Sequence, residues 1–283
     1  MPISTISSIE ELRQTLAIER ASDRTIALVP TMGALHAGHL ALVAAAREQA
    51  DVVVVSIFVN PTQFGDKCDL DAYPRTLEDD LAKLHEHGVE YVFAPSTEEI
   101  YPHGKTEITV QAGMAASRFE GRSRPGHFDG VLTVVSKLLN IVEPDFACFG
   151  EKDAQQLHLV ARLVADLDFA TEIVPVATER DSDGLALSSR NARIDPARRK
   201  HALAIPRALV AASRSADLGV EPMLAAAQGV MQSDSKVKLD YLVAVDPETF
   251  RPVDENHSGA VRVLIAGVVD GVRLIDNTLI SIP

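Results

Sequence analysis

Residues 25–39 read Thr-Ile-Ala-Leu-Val-Pro-Thr-Met-Gly-Ala-Leu-His-Ala-Gly-His. The stretch opens with a β-rich, largely apolar run over 25–31, of the kind that strands buried on both faces show. It then passes through a glycine loop into a segment of helical period over 38–50. We therefore predict a buried strand, a loop and a helix in direct succession, which is the beginning of an α/β sheet.

The same alternation continues along the chain. Short β-rich runs are separated by segments of helical period, and this order is typical of βαβ units. The further runs lie at 52–59, 90–94, 145–149 and 171–176, and the helical segments lie at 76–88, 127–143 and 153–167. The sequence therefore predicts an α/β fold with a doubly wound, parallel, Rossmann-like sheet.

The pattern changes after about residue 178. A loop leads to two helical stretches and then to three strands, which predicts a smaller α+β domain. The helical stretches lie at 196–216 and 221–233, and the strands near 237–245, 261–268 and 272–278. We expect two closely packed domains, residues 1–178 and 179–283, with the boundary in the loop 177–186. Clefts between domains commonly hold ligands.

The composition narrows the class of protein. A hydrophobic fraction of 46% with 24% charged residues is that of an ordinary globular protein and not of a disordered chain. The formal net charge of −13 repels phosphate polymers and anionic membranes. We therefore expect neither nucleic acid nor a membrane as a partner.

The beginning of the chain and the two cysteines bear on location. The N-terminus lacks the basic start and apolar core of a signal peptide, and Ser8 and Glu11 have the spacing of a helix capping box. The longest apolar run, 131–142, is shorter than the ~20 residues that span a bilayer. Cys68 and Cys148 are far apart, so neither a disulfide framework nor a zinc cluster is predicted. We expect a cytoplasmic protein.

The loop Met32–His39 lies where the first strand turns into its helix. Ligands of α/β sheets bind beside the carboxyl ends of such strands. Gly33 and Gly38 allow the backbone to approach a phosphate closely, and the N-terminus of the next helix attracts anions. His36 and His39 are three residues apart and would project toward the same place.

Other interpretations of this loop are available. The glycine spacing suggests a Walker A loop, but His39-Leu40 stands where Lys and Ser or Thr are required. Two histidines suggest zinc, but no obvious third ligand is near in sequence. A glycine turn with two surface histidines explains the residues equally well. The loop alone does not decide the function.

Four further segments place polar side chains at the ends of predicted strands or near the domain boundary. They are 58–65 with Asn60 and Gln63, 119–130 with two arginines, 149–156 with Lys152 and Gln156, and 183–191 with Ser188, Ser189 and Arg190. Amides suit the hydroxyls and carboxylate of a small acid, whereas Arg and Lys can neutralise phosphoryl groups. Each segment alone also fits an ordinary turn or solvated loop.

The residues His36-Ala37-Gly38-His39 after a strand resemble the HxGH signature of the nucleotidyltransferase superfamily. Segment 183–191 resembles the KMSKS-type loop of the same superfamily. Taken in order, the five segments together resemble the pantoate–β-alanine ligase family. The resemblance extends through most of the chain, by way of 98–102, 239–242 and 273–277.

The resemblance implies an ATP-dependent condensation of (R)-pantoate with β-alanine to pantothenate. A pantoyl adenylate would be the intermediate, and AMP and pyrophosphate would be released. ATP would be a substrate, Mg²⁺ would be carried by ATP, and the protein would be a cytoplasmic homodimer that acts on small molecules. Since no covalent enzyme intermediate is required, the lack of a Ser-His-Asp or Cys-His set is consistent with this chemistry.

The resemblance also implies roles for individual residues. The catalytic groups would be His36, His39, Lys152, Ser188, Ser189 and Arg190. ATP would be bound by Met32, Gly33, Ala34, Leu35, His36, Ala37, Gly38, His39, Gly150, Glu151, Lys152, Asp153, Glu179, Leu187, Ser188, Ser189 and Arg190. Pantoate would be held by Gln63 and Gln156, with Asn60, Arg124 and Glu120 as further contacts. The smaller domain would close over the ATP site.

Two other functions remain open. A nucleotidyltransferase for a phosphorylated acceptor would need a second phosphate-binding surface, whereas Gln63 and Gln156 suit an uncharged diol and one carboxylate. A non-catalytic nucleotide-binding protein is expected to lose polar residues from at least one segment, and here all five retain them. Aminoacyl-tRNA ligation is disfavoured by the net charge of −13.

Overall fold

A computed structural model describes residues 3–65, 70–104 and 106–283. The chain forms two compact units: residues 1–151 with 156–176, and residues 152–155 with 177–283. The predicted boundary between residues 178 and 179, and the ligand-binding roles of the two parts, stay predictions.

The first unit is built on a six-stranded parallel sheet of order β1-β4-β3-β2-β5-β6, which confirms the predicted α/β class. The strands are β1 Ser4–Ile6, β2 Ile26–Thr31, β3 Val52–Ile57, β4 Tyr91–Phe93, β5 Phe146–Gly150 and β6 Glu172–Val176. The chain builds outward from β2 to β4 on one side and from β5 to β6 on the other. The direction therefore switches between β2 and β5, where open α/β sheets bind ligands.

Helices cover both faces of this sheet. They are α1 Ile9–Ala21, α2 Ala37–Gln49, α3 Leu77–Glu86, α4 Thr97–Ile100, α5 Phe119–Ser123, α6 His127–Val142 and α7 Ala154–Asp166. Alternate residues of β2 point to opposite faces: Ile26 and Leu28 pack into a core with α1, α6 and α7, whereas Ala27 and Val29 pack into a core with α2. The continuous apolar runs are thus explained by burial on both faces, and the sheet is doubly wound.

The second unit contains the antiparallel sheet β7-β8-β9. Its strands are β7 Val237–Val245, β8 Gly259–Val269 and β9 Val272–Ile282, and its helices are α8 Arg199–Ala202, α9 Ala204–Arg214 and α10 Val220–Gln232. One face of the sheet packs on α9 and α10 around a buried apolar cluster that includes Ile205, Met223 and Ile265. This arrangement confirms the predicted smaller α+β part.

The short helices α4 and α5 are absent from the sequence prediction, and two further differences have a clear physical cause. The predicted helix 196–216 is divided into α8 and α9, with Leu203 between them. Pro206 has no N–H to donate to the carbonyl of Ala202, so the helical hydrogen-bond pattern is interrupted there. Strand β1 is absent from the sequence prediction, because three residues with one buried side chain carry too short a pattern.

Cys148 is free and buried in β5, and burial raises the pKa of its thiol to about 11. Cys68 lies outside the described residues. Within the ranges that the structure describes, no helix is both long and apolar enough to cross a membrane.

Candidate active site

Three of the predicted segments follow neighbouring strands of the parallel sheet. Residues 58–65 follow β3, the loop Met32–His36 follows β2, and Glu151 follows β5. Strand β2 pairs with both β3 and β5. Because the strands are parallel, their carboxyl ends lie at the same edge of the sheet, and this edge holds the switch point. The fold therefore brings these three segments to one place.

The two histidines of the loop form the beginning of helix α2. His36 is the N-cap, and its Nδ1 accepts a hydrogen bond from the backbone N–H of Gly38 at 3.1 Å. The Nδ1 of His39 accepts from the backbone N–H of His36 at 3.3 Å. The ring centroids are 4.1 Å apart.

This reciprocal cap decides where each ring carries its proton. Since both Nδ1 atoms accept hydrogen bonds, the neutral rings of His36 and His39 carry their protons on Nε2. Both histidines thus present an Nε2–H donor at the N-terminus of a 13-residue helix, where the dipole favours anions.

Asn60 and Gln63 form a buried amide pair after β3. Asn60 is 1% exposed and Gln63 is 8% exposed. The Asn60 amide donates to Gln63 Oε1 at 3.2 Å and to the carbonyl of Gly130 at 3.1 Å. Gln63 Nε2 lies 2.8 Å from the sulfur of Met32. The pair therefore joins the β2 loop to the β3 turn and to helix α6.

Tyr101 completes the environment of Asn60. Its hydroxyl donates to Asn60 Oδ1 at 2.9 Å, and the Thr62 hydroxyl donates to the same oxygen at 2.9 Å. Burial raises the pKa of the Tyr101 phenol, so the hydroxyl stays protonated as a donor. The Asn60 side chain is thereby fixed in one orientation.

Arg124 reaches the same cluster through His127. Its guanidinium Nη1 lies 2.9 Å from His127 Nε2, and His127 Nδ1 lies 2.8 Å from the carbonyl oxygen of Gln63. A guanidinium can only donate, so Nε2 accepts and Nδ1–H donates to Gln63. The backbone N–H of Arg124 donates to the carbonyl of Glu120, whose side chain is buried. Arg124, Gln63 and Asn60 therefore belong to one hydrogen-bonded network.

Gln156 and the carboxyl end of β5 complete the first unit's candidates. Gly150 ends β5, Glu151 begins a 3₁₀ turn, and Gln156 is half-buried in the first turn of α7. These residues lie beside the β2 loop by strand order.

In the second unit, residues 179–187 form a small antiparallel hairpin. The N–H of Leu187 donates to the carbonyl of Glu179 at 2.9 Å, and the N–H of Asp181 donates to that of Leu185 at 2.8 Å. The chain then turns at Ser188, whose hydroxyl accepts from the backbone N–H of Arg190 at 3.2 Å. Ser189 and Arg190 begin the next 3₁₀ turn. The predicted residues Glu179 and Leu187 thus lie opposite each other at the base of the hairpin.

Strand β9 holds both this hairpin and Lys152. The buried carboxylate of Asp276 accepts two hydrogen bonds from the Arg180 guanidinium, at 2.6 and 2.9 Å, and these raise the pKa of Arg180. The neighbouring Asn277 donates to the backbone carbonyl of Lys152 at 3.1 Å. The Lys152 side chain is 16% exposed, with its Nζ 3.9 Å from Asp153 Oδ2. Two adjacent strand residues therefore fix two predicted phosphate-binding segments.

Sequence reasoning assigned no role to Tyr101, His127, Asp276 or Asn277. The available signal was two successive polar residues, Asp276 and Asn277, in the middle of strand β9. In the described parts of the chain, no group of three or more His, Cys, Asp or Glu is arranged to hold a metal ion.

Comparison with known proteins identifies the family. The family model described as pantoate-beta-alanine ligase matches residues 4–279. The chain belongs to this family. A pantothenate synthetase of Leifsonia xyli subsp. xyli is 50% identical over 274 residues, which cover 96% of this chain and 95% of that protein.

Solved structures of pantoate–β-alanine ligases agree with this assignment. The crystal structure of pantothenate synthetase from Thermus thermophilus has a TM-score of 0.91 and 46% identity, covering 98% of this chain and 99% of that one. The pantoate-beta-alanine ligase from Francisella tularensis, complexed with beta-gamma ATP and β-alanine, has a TM-score of 0.79 and 36% identity, with coverages of 98% and 97%. ATP is a substrate of this ligase family.

Proposed function

We propose that this chain condenses (R)-pantoate with β-alanine, with cleavage of ATP, to give pantothenate, AMP and pyrophosphate. The product is vitamin B5, a precursor of coenzyme A. The observation that carries the proposal is the family match over residues 4–279, together with candidate residues at the ends of the three central strands. These strand ends surround the switch point of the sheet.

The first step is attack by a carboxylate oxygen of pantoate on the α-phosphorus of ATP, with pyrophosphate as leaving group. Negative charge spreads over the phosphate oxygens, so the protein's task is positioning and charge neutralisation. We assign this task to His36, His39 and Lys152, with Ser188, Ser189 and Arg190. The Nε2–H groups of the two histidines are suited to donate to phosphate oxygens.

The second step is attack by the amine of β-alanine on the acyl carbon of pantoyl adenylate. The acyl C–O bond breaks, AMP leaves with the bridging oxygen, and the amine loses a proton. No nucleophile of the protein enters this sequence. A covalent enzyme intermediate is therefore unnecessary.

Pantoate binding is assigned to the network after β3. Gln63 and Gln156 would hold its hydroxyls and carboxylate, with Asn60, Arg124 and Glu120 in support. The contact from Gln63 to Met32 supports this assignment, because it joins the Gln63 amide to the loop to which we assign ATP binding.

ATP binding is assigned to backbone and side chains after β2 and β5 and to the hairpin base. The contributing residues are Met32, Gly33, Ala34, Leu35, His36, Ala37, Gly38, His39, Gly150, Glu151, Lys152, Asp153, Glu179, Leu187, Ser188, Ser189 and Arg190. Mg²⁺ binds in proteins mainly through substrate phosphates and one or two carboxylates. Asp153, with a side chain 48% exposed, offers one carboxylate. When bound with ATP, the ion would neutralise phosphate charge.

A homodimer and a cytoplasmic location are proposed from the family resemblance. Light scattering of the purified protein would measure a mass of about twice the 30.5 kDa of one chain if the dimer forms. A mass of a single chain would contradict it.

Pyrophosphate exchange tests the activity and the site together. Exchange of label between pyrophosphate and ATP should require pantoate and should proceed without β-alanine. His39→Ala should lower turnover by roughly 10²- to 10³-fold, as for loss of one hydrogen-bond donor to the developing phosphate charge. Lys152→Ala should lower it by roughly 10²- to 10³-fold, as for loss of one charge-stabilising donor.

The controls are His103→Ala and Lys236→Ala, because both side chains are exposed and lie outside the proposed site. They should retain normal turnover. If His39→Ala and Lys152→Ala also turned over normally, the site assignment would be wrong. Exchange that depended on a different acceptor acid would overturn the proposed substrate.

A further inference from the structure

Asp80 is a buried carboxylate on helix α3. Its side chain is 0% exposed. Oδ1 accepts a hydrogen bond from the backbone N–H of Leu35 at 2.8 Å, and Oδ2 accepts from that of Ala34 at 2.9 Å. The Thr76 hydroxyl donates to Oδ2 at 3.1 Å. A buried carboxylate is costly unless donors satisfy it, and here three donors do so.

The backbone that Asp80 holds is strained. Gly33 has φ of +79°, and the next residue, Ala34, has φ of +52°, a conformation that residues with a Cβ seldom adopt. Such strain persists only where surrounding groups hold it. A Cβ on Gly33 would lie 3.1 Å from Asp80 Oδ2, so a larger residue there would press on the carboxylate.

Lys83, one turn after Asp80 in helix α3, also binds this loop. Its Nζ donates to the carbonyl of Leu35 at 2.8 Å and lies 4.0 Å from Asp80 Oδ1. Leu35 is therefore held by both its N–H and its carbonyl, through two side chains of one helix. The next residue, His36, begins helix α2 and its histidine cap.

We propose that Asp80, assisted by Lys83, is a positioning residue that fixes the loop Met32–His36 in the conformation that binds ATP. Both oxygens of the carboxylate are directed at protein donors, so Asp80 acts through the loop and does not contact substrate. The proposal rests on the proposed function, in which this loop binds ATP. Asp80 and Lys83 of helix α3 thus set the backbone geometry of the loop, which lies some 45 positions earlier in the chain.

Asp80→Asn is the sharpest test, because it keeps the volume but places an NH₂ group against a backbone N–H. We expect kcat/KM for ATP to fall by roughly 10- to 100-fold, the range for loss of a charge-assisted hydrogen bond. The KM for β-alanine should change by less than about twofold, since in the proposed reaction that substrate reacts only after the adenylate has formed and does not contact the loop 32–36. A purely structural role would instead lower the active fraction and leave the KM for ATP unchanged. Glu78→Gln, the same charge change at an exposed position of the helix, should behave as wild type.

Lys83→Met is a second, milder perturbation. Since the Lys83 side chain is 43% exposed, this variant should fold even if Asp80→Asn does not. It should show the same selective fall in kcat/KM for ATP, but a smaller one. Amide hydrogen exchange over residues 32–36 should become faster in either variant. Folded variants with normal ATP kinetics and unchanged exchange would overturn the proposal. If the wild type lacks ligase activity, the proposed function fails, and the exchange rates still decide whether Asp80 holds the loop.

Discussion

Gly130→Ala tests whether the network after β3 positions the pantoate-binding amide. Gly130 lies in helix α6 against the turn that contains Gln63. A Cβ at this position would lie 2.4 Å from the carbonyl oxygen of Thr62 and 2.8 Å from the backbone nitrogen of Gln63. To reach an ordinary contact of about 3.4 Å, the turn must move by about 1 Å.

Two opposing effects determine the outcome for stability. Alanine is a better helix former than glycine by about 1 kcal/mol, which favours the variant. Overpacking against backbone costs about 1–3 kcal/mol, which opposes it. The free energy of unfolding should therefore fall by at most about 2 kcal/mol. The loss of activity should be larger, because a misplacement of about 1 Å in a site can lower the rate by about 10²-fold.

The assay is steady-state kinetics with pantoate as the varied substrate, together with urea unfolding. We expect kcat/KM for pantoate to fall by about 100-fold in Gly130→Ala. Gly229→Ala is the matched control, because its Cβ would meet no atom within 4 Å in helix α10. It should raise stability by about 1 kcal/mol without changing the kinetics. Normal pantoate kinetics in Gly130→Ala would refute the claim that this turn positions Gln63.

Two further substitutions test the second unit. Asp276→Asn removes the carboxylate that accepts two hydrogen bonds from Arg180, so the free energy of unfolding in urea should fall by about 2 kcal/mol. Asp240→Asn is the control, because the Asp240 carboxylate is more exposed and lies in the same sheet, and it should cost less than about 1 kcal/mol. Equal losses in the two variants would contradict the importance of the buried pair. Hydrogen bonds from Arg199 lower the pKa of Asp183 below its ordinary value of 3.8. The ionised carboxylate therefore stabilises the fold at pH values above 3.8, and this stabilisation is lost as the pH falls through the lower pKa of the folded state. Wild type should therefore lose more stability than Asp183→Asn between about pH 5 and pH 3, and parallel pH profiles would contradict this pairing.

The central strands could be predicted from sequence because each is a local apolar run. Residues 26–29 and 52–55 are buried on both faces, and burial of that kind leaves a continuous hydrophobic pattern. Strand β1 could not be predicted in this way. Its three residues gain their place only by pairing with β4, from Ser4 with Tyr91 to Ile6 with Phe93. Such pairing depends on residues far away in the chain.

The candidate site shows the same division between local and distant information. The reciprocal cap of His36 and His39 lies within four residues, and their joint orientation was predictable from spacing. Asp80, by contrast, follows Glu78 and Asp79 and reads as part of an ordinary acidic first turn of a helix. Only its contact with the loop at Ala34 and Leu35 distinguishes it, and that contact spans 45 residues or more.

Asp276 and Asn277 show that a residue can contribute to the family resemblance without its structural role being predictable. The segment 273–277 contributes to the family resemblance, but the sequence gives no reason for its polar residues. The structure supplies the reason, since Asp276 accepts from Arg180 and Asn277 donates to Lys152. Long-range partners of this kind cannot be read from periodicity or spacing.

The most direct test of the central claim follows an oxygen atom of pantoate through the reaction. Pantoate labelled with ¹⁸O in its carboxylate should be incubated with the purified protein, ATP and β-alanine, and the phosphate products analysed by mass spectrometry. If the carboxylate attacks the α-phosphorus of ATP, one labelled oxygen appears in AMP. Label in inorganic phosphate with ADP as coproduct, or no labelled phosphate product, would contradict activation of pantoate as an adenylate.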